Sequence, residues 1–394
     1  MPDRQQIRDV LSTGSLVSLA AIRELRAEGI DFERNIGLGS YAKVKKAWYH
    51  EAGRSNARPI PVAVKIIDRR RVRSDFVQRF LPQELALVRK LQHPNIVATY
   101  AVRTTIDQTI VCLVEELADN GDLLQLVKSR SRVPNDEAKP IFRQLFEALH
   151  YLHERLRPPV AHRDLKCENI LFDTYKNVKL CDFGFASEMP PGYMSHVYCG
   201  SRAYAAPEIL SATPYSGCSI DIWSAGVVLY VTLTGYMLFN DKDPQHMMRQ
   251  QQARDIKYPS HVEWMIAEDA KHLIRRLLEP NASRRLKYAE IVASDWLKNT
   301  PWEYRCNEYE IYRLVPRRES SIHTSVPPPP PDIVSSVLSA THASDNTFAI
   351  TVSDDDDVAA YSSSTTDTMT ATTTVMGGDE SEQRMDTNTT TTSR

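Results

Sequence analysis

The stretch HRDLKCEN, residues 162 to 169, decides how the rest of the chain is interpreted. It brings the carboxylate of Asp164, the ammonium group of Lys166 and the carboxamide of Asn169 into one short segment. The apolar run ILF follows at once. This pattern predicts a loop that leaves a helix and enters a strand, with its polar groups directed at one point.

A second acidic motif, DFG at 182 to 184, follows the apolar stretch NVKLC. Asp182 and Asn169 can supply the hard oxygen ligands that Mg²⁺ prefers, and phosphate oxygens can complete its octahedron. Asp164 can accept the proton of an attacking hydroxyl, while Lys166 can neutralise charge on a transferred phosphoryl group. The two motifs together predict a site for in-line phosphoryl transfer.

Two weaker signals lie nearer the N-terminus. The loop GLGSYAKV, 37 to 44, sits between strand-like runs, and its glycines would let the backbone approach a polyphosphate. Ala42 stands where a third glycine would complete the pattern, so a plain hairpin turn fits as well. In the strand VAVK, Lys65 needs a partner to offset the cost of burying its charge, and Glu84 in the next helix is a candidate. A purely structural ion pair is the alternative.

These four signals, together with AAPE at 205 to 208 and DIWSAG at 221 to 226, resemble the motifs of the eukaryotic protein kinase family. The resemblance runs from about residue 32 to residue 297. It implies a bilobal α+β fold, in which an antiparallel N-lobe sheet carries one main helix and the C-lobe is mostly helical. The order of the predicted elements, strands first and helices afterwards, also favours an α+β architecture. The resemblance further implies ATP and Mg²⁺ as cofactors.

The resemblance also assigns roles to the motif residues. Lys65 would hold the α- and β-phosphates and pair with Glu84. Asp164 would be the catalytic base, and Asn169 and Asp182 would hold Mg²⁺. The positions implied to contact ATP are Gly37, Leu38, Gly39, Ser40, Val44, Ala63, Lys65, Asp122 and Leu171, of which Val44, Ala63 and Leu171 would face the adenine and Asp122 the ribose.

Three further residues are implied to have structural roles. Glu208 would form a buried ion pair with Arg285, and Asp221 would anchor the catalytic loop.

The same resemblance indicates the class of substrate. Lysine at position 166 and a hydroxyl at Ser201, bonded to the base and this lysine, are typical of kinases that modify serine or threonine in proteins. Asp122 and Glu168 lie at the expected mouth of the cleft. Their charge favours substrates with an upstream basic residue, in particular arginine.

A closer similarity exists to the testis-specific serine/threonine kinases, a branch of the calcium/calmodulin-dependent kinase group. It is carried by GSYAKVK, FLPQEL, GDLLQLV, HRDLKCEN, KLCDFGFA and YCGSRAYAAPEIL. Alanine at position 42 is normal in that branch. The similarity implies a role in late sperm development.

The activation loop departs from the family pattern. In MSHVYCGS, Val197 stands where the family places a threonine whose phosphate pairs with Arg163 and orders the loop. Ser195 or Tyr198 could be phosphorylated instead, packing alone could hold the loop, or activity could be low. We expect an enzyme that does not depend on phosphorylation at position 197.

The adenine pocket departs from the family pattern as well. Glu115, in LVEELAD, occupies the position at the back of the pocket where an apolar residue or threonine is usual. Its carboxylate could compete with Glu84 for Lys65 or point at water. With Val197 it is the support for a rival hypothesis, a pseudokinase or scaffold that binds partners without phosphoryl transfer.

The chain divides into three parts by composition. Residues 1–29 form an N-terminal extension with one short helix, whose apolar face is expected to hold Leu16, Leu19, Ala20, Ile22 and Leu25. Residues 30–298 form the expected kinase domain, with the N-lobe at about 30–117 and the C-lobe at about 118–298. Residues 299–394 form an extension that is Pro-rich and then acidic and Ser/Thr-rich, and we expect its last 63 residues to be disordered. Its run VPPPPPD predicts a stiff spacer or an SH3 or WW ligand.

Charge and cysteine usage limit the other functions. The 63 residues from 332 onwards hold 11 Asp and Glu against 2 Lys and Arg, so this tail is acidic and the rest of the chain is mildly basic. Neither part has the dense basic stripe of a nucleic-acid binder. The six cysteines lack a CxxC pair, which favours free thiols in a reducing compartment. The polar start argues against a signal peptide, and WSAGVVLYVTLTGYMLF predicts a core helix rather than a membrane span. We expect a cytoplasmic or nuclear location.

Overall fold

The computed structural model describes residues 18–39, 41–50 and 58–306, all in one compact unit of the chain. Its N-terminal lobe is built on a five-stranded antiparallel sheet in the order β1-β2-β3-β5-β4. The strands are β1 Ile30–Leu38, β2 Lys43–Tyr49, β3 Ile60–Asp68, β4 Thr99–Thr104 and β5 Ile110–Glu116.

Helix α1 (Leu19–Ala27) covers one face of this sheet. Ser18 begins the helix, because its side chain accepts a hydrogen bond from the main-chain N–H of Ala21. Ala21 and Leu25 are buried against the sheet, and Ile22 packs beside them. Leu19 and Ala20, which the sequence placed on the buried face, are exposed instead, because the helix starts only after Ser18 and turns the face of Ala21 and Leu25 inward. Leu16 lies outside the described residues.

The main helix of the N-terminal lobe runs from residue 74 to Leu87, so it ends four residues before the end of the stretch 75 to 91 whose periodicity predicted it. A π-helical turn at Phe76–Phe80 leads into helix α2, Leu81–Leu87. Pro82 stands in the first turn of α2 and has no N–H to donate to the preceding turn, which fits the change from the π-helical to the α-helical pattern at this point.

The C-terminal lobe is mainly helical. Its helices are α3 Leu123–Arg130, α4 Asn135–His150, α5 Pro207–Leu210, α6 Gly217–Thr234, α7 Pro244–Gln252, α8 Ser260–Glu263, α9 Glu268–Leu277 and α10 Tyr288–Val292. Short strands β6 Val160–Ala161 and β9 Ser187–Glu188 pair with each other, as do β7 Ile170–Phe172 and β8 Val178–Leu180. This arrangement confirms the predicted bilobal α+β fold.

Among the described residues, α6 is the one helix long and apolar enough to cross a membrane, but 83% of it is buried inside the fold. It is the helix that the sequence predicted as part of the core. The core continues from α6 across the C-terminal lobe to Leu81 of α2 and Leu113 of β5. The lobes therefore share one apolar core, while a second, smaller core lies between α1 and the sheet.

Substitution of Leu25, whose side chain is 1% exposed, should loosen α1 from the sheet. Leu25→Ala should lower the free energy of unfolding of the N-terminal lobe by about 2–4 kcal/mol, since it leaves a cavity in the smaller core. Denaturation in urea measures this change. Leu19→Ala on the same helix is the control, because Leu19 is 49% exposed. Equal losses for the two variants would contradict the packing of α1 described above.

Candidate active site

The ammonium group of Lys65 joins three segments that are remote in sequence. Its Nζ atom lies 2.7 Å from Glu84 Oε1 on α2 and 2.6 Å from Asp182 Oδ1 in the C-terminal lobe. Because side chains alternate along β3, Val64 and Ile66 face α1 while Lys65 faces the space between the lobes. The ion pair suggested for Lys65 and Glu84 is therefore present, and Asp182 is a second partner that sequence reasoning did not name.

Burial and charge act against each other on these groups. Burial would lower the pKa of Lys65, but the carboxylates of Asp182 and Glu84 raise it well above its usual range. Partial desolvation would raise the pKa of Asp182, but the Lys65 ammonium group lowers it to about 2. Burial raises the pKa of Glu84 in spite of Lys65. Lys65 and Asp182 are thus charged at neutral pH, as binding to phosphate and to a cation requires.

The catalytic loop that contains Asp164 lies between β6 and β7. Asp164 Oδ1 accepts hydrogen bonds from the main-chain N–H of Ser201 at 2.8 Å and from its hydroxyl at 2.9 Å. Lys166 Nζ lies 3.1 Å from Ser201 Oγ and 3.5 Å from Asp164 Oδ2. Burial would lower the pKa of Lys166, but Asp164 and Glu168 raise it. A carboxylate, a hydroxyl and an ammonium group thus form one connected cluster.

Two hydrogen bonds tie this loop to the segment that carries Asp182. The main-chain N–H of Cys181 donates to Asn169 O at 3.0 Å, and the His162 ring nitrogen Nε2 lies 2.9 Å from Cys181 O. Asn169 Nδ2 donates to Asp164 O at 2.8 Å. These bonds hold Asp164, Asn169 and Asp182 in a fixed relation to each other.

Asp221, fully buried in the apolar helix α6, supports the loop from below. Its Oδ2 and Oδ1 accept the main-chain N–H groups of His162 and Arg163, each at 2.8 Å. His153 Nε2 lies 2.8 Å from Oδ2. Arg163 has the left-handed φ of 66°, which is costly for a residue with a side chain. The two bonds to Asp221 offset that cost and place Asp164 at its position.

A second anchor lies farther from the loop. Arg285 Nη1 and Nη2 donate to the two carboxylate oxygens of Glu208 at 2.8 and 3.1 Å. The Arg285 guanidinium also lies over the Trp223 ring, 5.2 Å from its centroid. This bidentate pair connects α5, at the end of the activation segment, to the helical core.

The glycine loop is the hairpin between β1 and β2. Gly37 pairs with Val44 and Leu38 with Lys43, and Gly39 donates to Ala42 O at 2.8 Å. Ser40, implied to contact ATP, lies outside the described residues. The hairpin turn that the sequence left open is present, and it stands beside Lys65, which pairs with Val44 in the sheet register.

Tyr41 gives this hairpin a contact that sequence reasoning missed. Its ring stacks on Phe76 with centroids 4.3 Å apart and meets Phe185 edge-on at 6.0 Å. The aromatic residues next to DFG and in FVQRF were the only features of the sequence that could have indicated this contact. The contact joins the glycine loop to the turn before α2 and to the activation segment.

The remaining positions implied to contact the nucleotide come from both lobes. Val44, Ala63 and Leu171 are half-buried side chains. Asp122 pairs with Leu171 through the backbone, and its Oδ1 accepts the N–H of Gln125 at 2.8 Å as the cap of α3. Burial raises the pKa of Asp122.

Glu115, near the end of β5, lies opposite Ala63 and therefore on the same face of the sheet as Lys65. Among the described residues it makes no ion pair, since Lys65 is engaged by Glu84 and Asp182. Burial raises the pKa of Glu115 to about 8. Glu84 rather than Glu115 thus pairs with Lys65, and the raised pKa keeps the half-buried Glu115 carboxyl group mostly uncharged at neutral pH.

The activation segment is held by an internal cluster around Arg163. Ser195 is fully buried, and its hydroxyl accepts hydrogen bonds from Arg163 Nη1 and from the N–H of Val197, both at 3.3 Å. Main-chain bonds at 2.8 and 3.0 Å join Ser195 to Tyr215, whose hydroxyl donates to Val197 O at 2.6 Å. Arg163 also donates to Phe185 O at 2.7 Å. A phosphate is not needed to connect Arg163 to this segment.

The donor set fits a magnesium ion that phosphate oxygens also hold. Asn169 uses its amide nitrogen in the bond to Asp164, which leaves the amide oxygen as a ligand. The Asp182 side chain is 43% exposed and ionised. In the part of the chain that the structure describes, no group of three or more His, Cys, Asp or Glu could hold a metal ion. Oxygens of a nucleotide would therefore have to complete the coordination.

Titration of Glu115 should make stability depend on pH. Its pKa in the fold is about 8 against an ordinary value of 4.5, so the stability that its neutral form contributes is lost as pH rises between these values. Relative to Glu115→Gln, the wild-type melting temperature should fall by about 3–8 °C between about pH 5 and pH 8.5. Glu137→Gln, at a side chain that is 56% exposed, is the control. Its melting temperature should differ from that of the wild type by the same amount at every pH in this range. A constant difference for Glu115→Gln as well would contradict the raised pKa.

The protein kinase domain family matches residues 30–297, which include both lobes and every contact described above for Lys65, Asp164 and Asp182. The match begins at the first residue of β1 and ends a few residues after α10.

Among the most similar curated proteins are two testis-specific kinases. Testis-specific serine/threonine-protein kinase 2 of Mus musculus is 42% identical over 279 residues, which are 70% of this chain and 75% of that protein. Testis-specific serine/threonine-protein kinase 3 of Homo sapiens is 42% identical over 278 residues, 70% of this chain and 98% of that protein. CBL-interacting serine/threonine-protein kinase 3 of Arabidopsis thaliana is 35% identical over 268 residues, 67% of this chain and 57% of that protein. The chain therefore belongs to the protein kinase family and is a protein serine/threonine kinase, similar to the testis-specific kinases within the branch that resembles the calcium/calmodulin-dependent kinases.

Proposed function

We propose that this kinase is active and transfers the γ-phosphoryl group of ATP to serine or threonine hydroxyls of protein substrates. The observation that carries the proposal is the cluster of Asp164, Ser201 and Lys166 next to the ion pairs of Lys65 with Glu84 and Asp182. The cluster of Asp164, Ser201 and Lys166 can orient an acceptor hydroxyl and take its proton. The group around Lys65 can bind phosphate and a cation.

On the nucleotide side, Lys65 would bind the α- and β-phosphates. Its strongly raised pKa keeps it cationic, and Glu84 keeps it oriented while Asp182 moves to its own ligand. Asn169 and Asp182 would hold Mg²⁺, which when bound with ATP neutralises phosphate charge. The N–H groups of the glycine loop would then meet the phosphates from above.

On the acceptor side, Asp164 would orient the hydroxyl and take its proton. Ser201 bonds to Oδ1, while Oδ2 lies 3.3 Å from Asn169 Nδ2 and 3.5 Å from Lys166 Nζ and would be the oxygen that meets the acceptor. A bond forms between the acceptor oxygen and the γ-phosphorus, the bond from that phosphorus to the bridging oxygen breaks, and ADP leaves. Lys166 would neutralise the charge on the transferred group.

Two acidic residues support a preference for substrates with an upstream basic residue. Burial raises the pKa of Glu168, and its Oε2 has no hydrogen-bond partner among the described residues. Asp122 has a pKa raised by burial as well. A substrate guanidinium would offset the cost of ionising these carboxylates near the catalytic loop.

Activation would proceed without phosphate at position 197. The Ser195 hydroxyl occupies a position next to Arg163 that a phosphate would otherwise fill, and Tyr215 fixes the backbone of Val197. Ser195 is buried in this arrangement, so it acts as an acceptor for Arg163 rather than as a site that another kinase can reach.

The biological setting is proposed from the relatives alone. The names of the mouse and human relatives associate them with testis, and we propose a role in spermatogenesis for this chain in the cytoplasm or nucleus. The proline run, a spacer or a ligand for SH3 or WW domains, lies outside the described residues.

Phosphoryl transfer is tested with the full chain, ATP, Mg²⁺ and a basic serine-containing peptide. Asp164→Asn should reduce labelling by about 10²–10⁴-fold, since it removes the base. Asp136→Asn is the matched control, because the Asp136 side chain is 97% exposed, and it should leave the rate unchanged. Wild-type labelling no greater than that of Asp164→Asn would instead favour a scaffold without transfer.

The phosphate-independent activation segment is tested at two positions. Ser195→Ala should lower kcat/KM by about tenfold or more, since a hydrogen bond to a charged group is lost. His196→Ala, at an exposed neighbour, should have no effect. Val197→Thr should leave the rate of the unphosphorylated enzyme unchanged. Two results together would show that order in this segment depends on phosphate. Activity would rise strongly when the threonine introduced by Val197→Thr becomes phosphorylated, and kcat/KM would be the same in Ser195→Ala as in the wild type.

A further inference from the structure

Residues 301–306, which come after the last helix and have no regular secondary structure, are called the C-terminal strap here. Side-chain amides of the C-terminal lobe form hydrogen bonds with its main chain. Gln144 Nε2 donates to Glu303 O at 3.0 Å. Asn177 Nδ2 donates to Arg305 O at 2.6 Å, and the N–H of Arg305 donates to Asn177 Oδ1 at 2.9 Å. The strap thus has a defined register on α4 and on the turn before β8.

Trp302 connects the strap to the segment between α2 and β4. Its indole N–H donates to Asn95 Oδ1 at 2.8 Å. Asn95 is fully buried and donates through Nδ2 to Gln144 Oε1 at 2.7 Å and to Val178 O at 3.0 Å. The N–H of Leu180 donates to Asn95 O at 2.8 Å. Asn95 therefore links the N-terminal lobe to β8, and Trp302 supplies a donor to its amide oxygen.

Tyr304 connects the strap to a buried cation on β8. The side chain of Lys179 is 2% exposed, and its Nζ lies 5.2 Å from the centroid of the Tyr304 ring. The same Nζ lies 2.6 Å from Glu116 Oε1. A buried ammonium group needs such partners to offset its lost hydration.

Glu116 is the last residue of β5, where the chain leaves the N-terminal lobe. Its N–H donates to Ala98 O at 2.8 Å, and its Oε2 accepts the N–H of Ala98 at 3.2 Å. Lys179 lies opposite Leu171 in the β7–β8 pair, and Leu171 is implied to face the adenine. The ion pair of Lys179 and Glu116 thus spans the two lobes beside the expected adenine pocket.

We propose that the C-terminal strap is a positioning element for the nucleotide site, in which Trp302 and Tyr304 hold Asn95 and Lys179 and so fix the end of β5 against β8. This inference rests on the proposed function. The residues that the strap holds are not those implied to contact ATP. The strap would act by keeping the two lobes in the arrangement that binds ATP. The apparent dissociation constant for ATP rises as the fraction of molecules in that arrangement falls.

The test uses the full chain with Tyr304→Leu, which removes the ring, and Tyr304→Phe, which keeps it. Tyr304→Leu should raise KM for ATP about three- to tenfold, the range that loss of one cation–π contact implies. The peptide KM and kcat should stay near wild-type values. Tyr304→Phe should behave as wild type. Trp264→Leu, at a side chain that is 75% exposed, is the control for loss of an aromatic ring and should change none of these constants.

A second readout separates this inference from the proposed function. The dissociation constant of a non-hydrolysable ATP analogue with Mg²⁺, measured by calorimetry, should rise by the same factor in Tyr304→Leu. A wild-type chain that binds the analogue but transfers no phosphate would reject the proposed function and leave this readout intact. An unchanged dissociation constant in Tyr304→Leu, whether or not its melting temperature falls, would overturn the inference, as would Tyr304→Phe behaving like Tyr304→Leu.

Discussion

The ammonium group of Lys65 between two carboxylates is the interaction on which the site depends. Glu84 comes from α2 and Asp182 from the segment after β8, so a single cation links the sheet, its main helix and the C-terminal lobe. A buried lysine without these partners would cost several kcal/mol. The need to pair this charge therefore fixes where three remote segments meet, and the place where they meet is suited to phosphate.

A second constraint acts on the other side of the cleft. Asp221 lies in an apolar helix and satisfies two main-chain N–H groups of a loop that contains a residue with left-handed φ. A buried carboxylate with those bonds is stable, whereas either partner alone would be costly. The geometry of Asp164 thus follows from a support that no substrate touches. Ser195 has the same kind of role in the activation segment, where its buried hydroxyl accepts a hydrogen bond from Arg163.

The sequence predicted the parts of this arrangement that rest on short-range pattern. Asp164, Lys166 and Asn169 lie within one loop, and the cost of a lone lysine in the apolar strand VAVK was enough to name Glu84 as a candidate partner of Lys65. Prediction from the sequence failed where contacts with distant parts of the chain determine the position or the charge of a side chain. Leu19 and Ala20 fit a helical face, but the cap at Ser18 selected another. The state of Glu115 depends on the burial of its side chain, and the contacts of Trp302 and Tyr304 lie in a segment with no periodic signal, where only their aromatic character was visible.

The most direct test of the central claim is the affinity of the full chain for ATP with Mg²⁺, measured by calorimetry for the wild type and for Lys65→Met. The account predicts one saturable site whose affinity falls by about tenfold or more in Lys65→Met, as expected for loss of a charge-assisted contact to phosphate. Lys257→Met, at a side chain that is 80% exposed, should bind as the wild type does. Equal affinities for wild type and Lys65→Met, or no binding by either, would contradict the account.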